Sequence, residues 1–252
     1  MLKQLVARTI QRLYNKQWFL SRAQSDSDRR TRRELLSRFR KIDRAVPCHH
    51  TEREMLALVD FLLGVRQGGC IVECGCYHGG SSAKLSVAAK IMNRKLFVCD
   101  SFAGLPETVG QDGRFADIDG GAIHYSEGQY SAGLEVVKRN VDRFGESSVV
   151  EYIPGFFSDT LPTLNVEPVL VFSDADLISS TRDVLRCLWP RLQPGGRIYS
   201  HDLNMPDLVR GITDCDFWLK DVGCPPPPIF GAGYGVGLGA GGIGYFERAE
   251  GQ

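Results

Sequence analysis

Two stretches of the chain carry groups suited to holding a small molecule. The first, Glu73-Cys-Gly-Cys-Tyr-His-Gly-Gly80, follows a short apolar run that reads as a strand. Glycines at 75, 79 and 80 let the backbone approach a ligand closely and turn sharply into a helix. The spacing is not the Gly-x-Gly-x-x-Gly of dinucleotide-binding proteins, which aims a helix N-terminus at a pyrophosphate. Glu73 would repel a pyrophosphate and suits a cationic or amino-bearing ligand. The second is Asp100, which closes the next apolar run 25 residues after Gly75. A carboxylate there can accept hydrogens from two ribose hydroxyls, which distinguishes a nucleoside from a plain phosphate. The plainer reading is that Asp100 caps the following turn.

These residues need elements to hold them. Val6, Ile10, Leu13 and Tyr14, with Leu2 and Leu5, recur at helical spacing over 2–20. A polar loop is expected over 25–33 and a second helix over 33–44, stopped by Pro47. Thr51 with Glu54 three residues on is a capping box that opens a helix to about Val65. Strands are then expected over 70–74, 95–99, 149–153, 169–172, 197–200 and 243–247. Helices fall between them over 81–92, 132–144, 181–192 and 207–219. Residues 103–128 show no period and read as a long surface loop. The alternation predicts an α/β fold: a doubly wound, mostly parallel sheet with helices on both faces, preceded by an N-terminal helical arm. Such sheets bind ligands beyond the carboxyl ends of their strands. The stretch from Gly223 to Gly244, with four consecutive prolines, is either a tight connector or a flap over the ligand.

The chain has 252 residues, 43% apolar and 24% charged, which excludes a disordered polymer, a collagen or a disulfide scaffold. No run reaches the ~18 apolar residues of a membrane span, and Lys3, Arg8, Arg12 and Lys16 interrupt any signal-peptide core. Residues 1–46 hold 13 Lys and Arg against 4 Asp and Glu on a chain of zero net charge. A basic arm can meet nucleic acid or a membrane surface, but the expected stacking aromatics are missing. Packing on the acidic body of a second subunit is the preferred reading. The eight cysteines contain no Cys-x-x-Cys pair and fit reduced thiols in the cytoplasm.

Together the residues resemble the class I S-adenosylmethionine methyltransferases, and within them the macrocin O-methyltransferase family. The likeness runs through Leu13-Tyr14, the Val72-to-Ser82 run, Asp100-Ser-Phe-Ala-Gly-Leu-Pro106 and Gly155-Phe-Phe-Ser-Asp-Thr-Leu-Pro162. It continues through Asp174-Ala-Asp176 with Ser180-Thr181 and Trp189-Pro-Arg-Leu-Gln-Pro-Gly-Gly196. The family methylates sugar hydroxyls in macrolide biosynthesis. The resemblance implies a seven-stranded, Rossmann-like sheet, S-adenosylmethionine as methyl donor, a hydroxyl acceptor and often magnesium. Glu73 and Gly75 would then line the methionine end of the donor. Asp100, Ser101 and Phe102 would hold the ribose, and Gly155, Phe156 and Phe157 would flank the adenine. Tyr77, Ser81 and Asp174 complete the donor set. A basic arm over 1–50 and a donor-binding domain over 51–252 follow.

The acceptor end is expected at Asp174, His201 and Asp202, where neighbouring strand ends can converge on one ion. In the family the second strand usually ends in Asp-Asp; here it ends in His201-Asp202. Imidazole in place of an oxygen ligand moves preference from magnesium toward manganese, iron or zinc. It also offers a base, because His titrates near neutrality. Asp174 and His201 are therefore the candidate catalytic pair, with or without magnesium or manganese. His78 and His124 read as surface residues, and His49-His50 as packing or acceptor contacts. The expected function is O-methylation of a small polar acceptor, such as a glycosyl group, by a homodimer or higher homo-oligomer. An N-methyltransferase or a non-catalytic donor-binding subunit is the rival reading.

Overall fold

The computed structural model describes residues 2–108, 110, 112–116, 119–237 and 241–249. The side chains of residues 2–5, Leu2 and Leu5 among them, lie outside the described residues, as do 238–240 of the Gly/Pro-rich stretch.

Three helices come first: α1 (Leu2–Ser21), α2 (Asp26–Ile42) and α3 (Glu52–Gly64). Helix α2 begins seven residues before the expected start at Arg33. Ser25 caps it by accepting from the Asp28 N–H, and Asp26 and Asp28 favour its positive end. Its charged surface hid an inner stripe of Arg32, Leu35, Leu36, Phe39 and Ile42. The Thr51–Glu54 capping box of α3 is present as expected.

The sheet then forms through β1 (Cys70–Cys74), α4 (Gly80–Ile91) and β2 (Leu96–Asp100). The stretch expected to be an irregular loop carries a hairpin, β3 (Arg114–Ala116) paired antiparallel with β4 (Ala122–His124). Its strands are too short to show a period, yet Phe115 and the following Tyr125 are buried. There follow α5 (Leu134–Phe144), β5 (Val150–Pro154), α6 (Phe157–Thr160), β6 (Pro168–Ser173), α7 (Ile178–Leu188) and β7 (Arg197–Ser200). The single helix expected over 207–219 is two, α8 (Pro206–Ile212) and α9 (Cys215–Phe217). Asp214 restarts the chain by accepting from the Phe217 N–H. The chain closes with β8 (Ile229–Phe230) and β9 (Gly244–Glu247).

Seven strands lie in the order β5-β2-β1-β6-β7-β9-β8. The first five are parallel and β9 runs antiparallel to both its neighbours. Strand residues alternate between two cores, as a sheet covered on both faces requires. Ile71, Leu96, Val98, Leu170 and Phe172 join the side packed by α2 to α5. Val72, Cys74, Cys99, Val171, Ile198 and Phe246 join the side packed by α7 and α8. The strand order reverses between β1 and β6, and that crevice opens at their carboxyl ends.

The basic arm packs against its own chain. Phe19 is fully buried, the Arg53 guanidinium lies 3.3 Å from the centre of the Trp18 ring, and Asn15 donates to Glu52. Val6, Ile10, Leu13 and Tyr14 remain exposed. No helix among the described residues is long and apolar enough to cross a membrane.

Candidate active site

A cavity of about 430 Å³ opens at the carboxyl ends of β1, β2, β6 and β7, within the usual range for cofactor sites. Its geometry depends on Gly75, whose φ is +90° and whose place a Cβ could not share with the Asp174 carbonyl oxygen 2.0 Å away. That contact presses the β1 turn against the end of β6. Tyr77, Tyr130, Asp176 and Asp202 also line the cavity and have positive φ, as does Phe102 beside it. Backbone strain in non-glycine residues is concentrated here, as it is at many functional sites.

At one end the Asp100 carboxylate is rigidly held: one oxygen accepts from the Cys76 N–H and the other from the Phe102 N–H, each at 2.7 Å. Each oxygen keeps a further lone pair, so the group fits the hydroxyls of a nucleoside-bearing donor. Gly75, Tyr77, Ser101, Phe156 and Phe157 line the same cavity. Glu73, Ser81, Phe102 and Gly155 do not. Glu73 and Ser81 are buried behind the cavity wall, because β1 points Glu73 into the protein. Burial pushes the Glu73 carboxyl up to about 7, and the Ser81 and Ser82 hydroxyls moderate that rise. Both carboxylate oxygens are buried with no hydrogen-bond partner among the described residues. The Phe102 ring turns toward Tyr152, leaving its backbone N–H to Asp100.

The other end collects the expected Asp174, His201 and Asp202, joined by His50 and Asp176. His201 Nδ1 stands 3.2 Å from Asp174 Oδ1 and 2.8 Å from Asp202 Oδ1. His50, read from the sequence as a packing or acceptor-contact residue, reaches the remaining Asp174 oxygen with Nε2 at 2.9 Å. Its ring is nine-tenths buried and edge-on to Phe172 and His201. Asp176 lines the cavity beside Tyr125. Asp176 belongs to the Asp174-Ala-Asp176 motif noted in the sequence, which alone assigns it no role.

Electrostatics bind this end together. Burial alone would strip the His50 proton, but the Asp174 carboxylate outweighs it and pushes the imidazole up to about 10. Burial likewise works against the His201 charge, and Asp174 and Asp202 raise its pKa well above the ordinary value. Asp174, flanked by both imidazoles, is held far below the usual carboxylate range despite its burial. Asp176 is driven well above that range by burial and by the Asp174 and Asp202 charges.

Two groups among the described residues could hold a metal ion, His50 with Asp174 and His201, and Asp174 with Asp176 and Asp202. The first mixes nitrogen and oxygen donors and the second is all oxygen. A divalent ion therefore fits, and the donors allow either a hard or a borderline ion. The other histidines stand apart from this cluster. His49 lies on the cavity rim against Tyr77 and Tyr130, while His124 is exposed on β4. No described residue of the Gly/Pro-rich stretch lines the cavity; Gly242 donates its N–H to Glu54 Oε1 instead.

The fold, the crevice and the order of these motifs place the chain among known proteins. Residues 53–217 match the model of the macrocin-O-methyltransferase (TylF) family; the chain belongs to this family. It is 37% identical over 139 residues to a Streptomyces olivaceus protein, 8-demethyl-8-(2,3-dimethoxy-alpha-L-rhamnosyl)-tetracenomycin-C 4'-O-methyltransferase, covering 53% of this chain and 52% of that one. It is 33% identical over 161 residues to demethyldecarbamoylnovobiocin O-methyltransferase of Streptomyces niveus, covering 62% and 61%. The matched segment thus spans about half to three fifths of these relatives' lengths. Among solved structures, the O-methyltransferase NovP aligns with a TM-score of 0.59 and 24% identity over 85% of this chain and 81% of that one. The calicheamicin methyltransferase CalS11 aligns at 0.57 and 16% identity over 94% and 93%. These likenesses show the shared fold.

Proposed function

We propose that the protein transfers a methyl group from S-adenosylmethionine to a hydroxyl oxygen of a small polar acceptor, a glycosyl group of a natural product or surface glycan. One observation carries this reading: a single cavity has the fixed Asp100 carboxylate at one end and Asp174, His201 and Asp202 at the other, with His50 buried behind Asp174. Relatives named for methylating a rhamnosyl-tetracenomycin and mycinamicin III at sugar-type positions support the acceptor class.

S-adenosylmethionine, when bound, supplies an already activated sulfonium methyl. The protein's share is alignment and proton removal. Asp100 and Ser101 hold the ribose, Phe156 and Phe157 flank the base, and Gly75 and Tyr77 border the methionine end, with Glu73, Ser81, Phe102 and Gly155 shaping the wall behind them. In-line positioning of the acceptor oxygen lowers the barrier by removing its freedom to wander. A neutral alcohol is a poor nucleophile, so its proton must leave with or before attack. Both nitrogens of His201 face carboxylates, Asp174 and Asp202 on one side and Glu54 on the other. His201 therefore holds charge in place. Asp176, which has no imidazole partner among the described residues, is the carboxylate that takes the proton. A divalent ion, if held by Asp174, Asp202 and a neutral His201, would supply positive charge beside the acceptor oxygen in place of the imidazolium.

We also infer a homodimer or higher oligomer formed through the exposed apolar face of α1, and a cytoplasmic location in keeping with eight unpaired cysteines. Calorimetry with S-adenosylhomocysteine tests the donor, followed by label transfer from S-adenosylmethionine to glycosides with free sugar hydroxyls. Asp176→Asn is expected to abolish transfer and leave S-adenosylhomocysteine affinity unchanged. A wild-type protein that does not bind S-adenosylhomocysteine would overturn the reading.

A further inference from the structure

We infer that His50 is a metal ligand, and that with Asp174 and His201 it makes a two-histidine, one-carboxylate site selective for a divalent transition ion of the manganese, iron, cobalt or zinc class over magnesium. The inference rests on the reading of this cluster as the acceptor end of the cavity. It adds a ligand from the segment before α3, and the added nitrogen changes which ion the site takes.

Distance is the first argument. The potential ligand atoms of His50, Asp174 and His201 all lie within 4.8 Å of one another. His50 Nε2 and Asp174 Oδ2 are 2.9 Å apart, and His201 Nδ1 and Asp174 Oδ1 are 3.2 Å apart. Ligands on bonds of about 2.1 Å to a common ion stand roughly 3.0–3.4 Å from each other.

Orientation is the second. The two imidazoles cross at 84° with centroids 4.9 Å apart, so they do not stack, and each turns a different nitrogen toward Asp174. The nitrogen of His50 facing away has its own partner, Cys48 Sγ at 3.5 Å, while His201 Nε2 faces the Glu54 carboxylate at 3.9 Å, an electrostatic contact longer than a hydrogen bond. A metal-bound histidine is characteristically oriented through its other nitrogen in this way. The Cys48 contact fixes the His50 ring with Nε2 toward Asp174.

Donor chemistry is the third. Magnesium favours oxygen ligands and water, whereas imidazole nitrogen suits manganese, iron, cobalt and zinc. Asp202 Oδ1, 2.8 Å from His201 Nδ1, supplies a further oxygen within reach. The all-oxygen group of Asp174, Asp176 and Asp202 offers the magnesium-like alternative on the same carboxylate.

The test is metal binding itself, read without turnover. Full-length protein is stripped with a chelator, dialysed against cobalt, manganese, zinc or magnesium, and its metal counted; cobalt is also followed by its visible absorption. Wild type is expected to retain one cobalt per chain at least a hundredfold more tightly than magnesium, with bands typical of nitrogen ligation. His50→Ala is expected to weaken cobalt at least tenfold and alter those bands, with S-adenosylhomocysteine affinity unchanged and a cooperative thermal transition showing that the chain still folds. If His50→Ala does not fold, His50→Gln is measured by the same criteria. No stoichiometric ion, magnesium held as tightly as cobalt, or an unchanged cobalt affinity and spectrum in the variant would each overturn the inference. Absence of S-adenosylhomocysteine binding alongside normal cobalt binding would instead count against the donor reading alone.

Discussion

His50 and Asp174 meet at 2.9 Å although 124 residues of chain separate them. The contact fastens the segment between α2 and α3 to the end of β6. It also divides the Asp174 carboxylate between two imidazoles, one oxygen to His50 and the other to His201. Neither histidine alone occupies both oxygens.

Asp100→Ala should weaken S-adenosylhomocysteine at least tenfold. The substitution removes a charged acceptor from two ribose hydroxyls, at about 1.5–3 kcal/mol per charge-assisted bond. It also frees the Cys76 and Phe102 N–H groups. Calorimetry measures the loss, and an unchanged dissociation constant would remove Asp100 from the donor site.

Glu73 should make stability fall as pH rises. Its carboxyl goes from an ordinary 4.5 to about 7 on folding, so the folded state prefers the proton. The favourable contribution is complete below 4.5 and is lost by the time pH passes 7. At about 1.4 kcal/mol per pH unit the difference is roughly 3 kcal/mol. Glu73→Gln, permanently neutral, should flatten this part of the urea-denaturation profile; a wild-type profile level from pH 4.5 to 7 would contradict it.

The Lys84–Asp43 pair should respond asymmetrically. The Lys84 side chain is fully buried and its Nζ lies 2.5 Å from Asp43, which is 21% exposed. Asp43→Ala leaves a buried ammonium facing only the Cys48 sulfur and should cost about 3 kcal/mol or more. Lys84→Met keeps the volume and leaves a carboxylate that water can reach, so it should cost far less. Equal losses in chemical denaturation would show that the burial argument fails.

The α1 face should govern assembly. Ile10 and Leu13 are 61% and 62% exposed, whereas Phe19 further along the same helix is buried in its own chain. The double variant Ile10→Glu, Leu13→Glu should therefore yield a smaller species by light scattering while its thermal midpoint stays within a few degrees. Truncation before Ser21 should also reduce the mass but would remove Phe19 and lower the midpoint as well. An unaltered mass for the double variant would place any interface elsewhere.

The strands of the parallel sheet could be read directly, because burial on both faces makes β1, β2, β6 and β7 short apolar runs with few competing interpretations. Asp100 and the Asp174, His201 and Asp202 group were readable for a related reason: each closes such a run. The β3–β4 hairpin was hidden because three residues per strand cannot establish a period. The first turns of α2 were hidden because their arginines cover an apolar stripe that begins only further along the helix. His50 was readable only as a packing or acceptor-contact residue, since its pairing with Asp174 joins segments 124 residues apart.

Glu54 has a consequence for how the chain matures. Its carboxylate caps the Thr51 N–H at the start of α3, accepts the Gly242 N–H and faces His201. Gly242, 188 residues further along, must therefore dock on this side chain before the corner beside His201 is complete. Contacts of such long sequence separation are slow to form. On the ribosome, the parallel strands can pair while this corner still lacks its closing segment. This corner of the cavity is thus among the last parts of the molecule to be completed, and a chain released before Gly242 would carry most of the sheet without it.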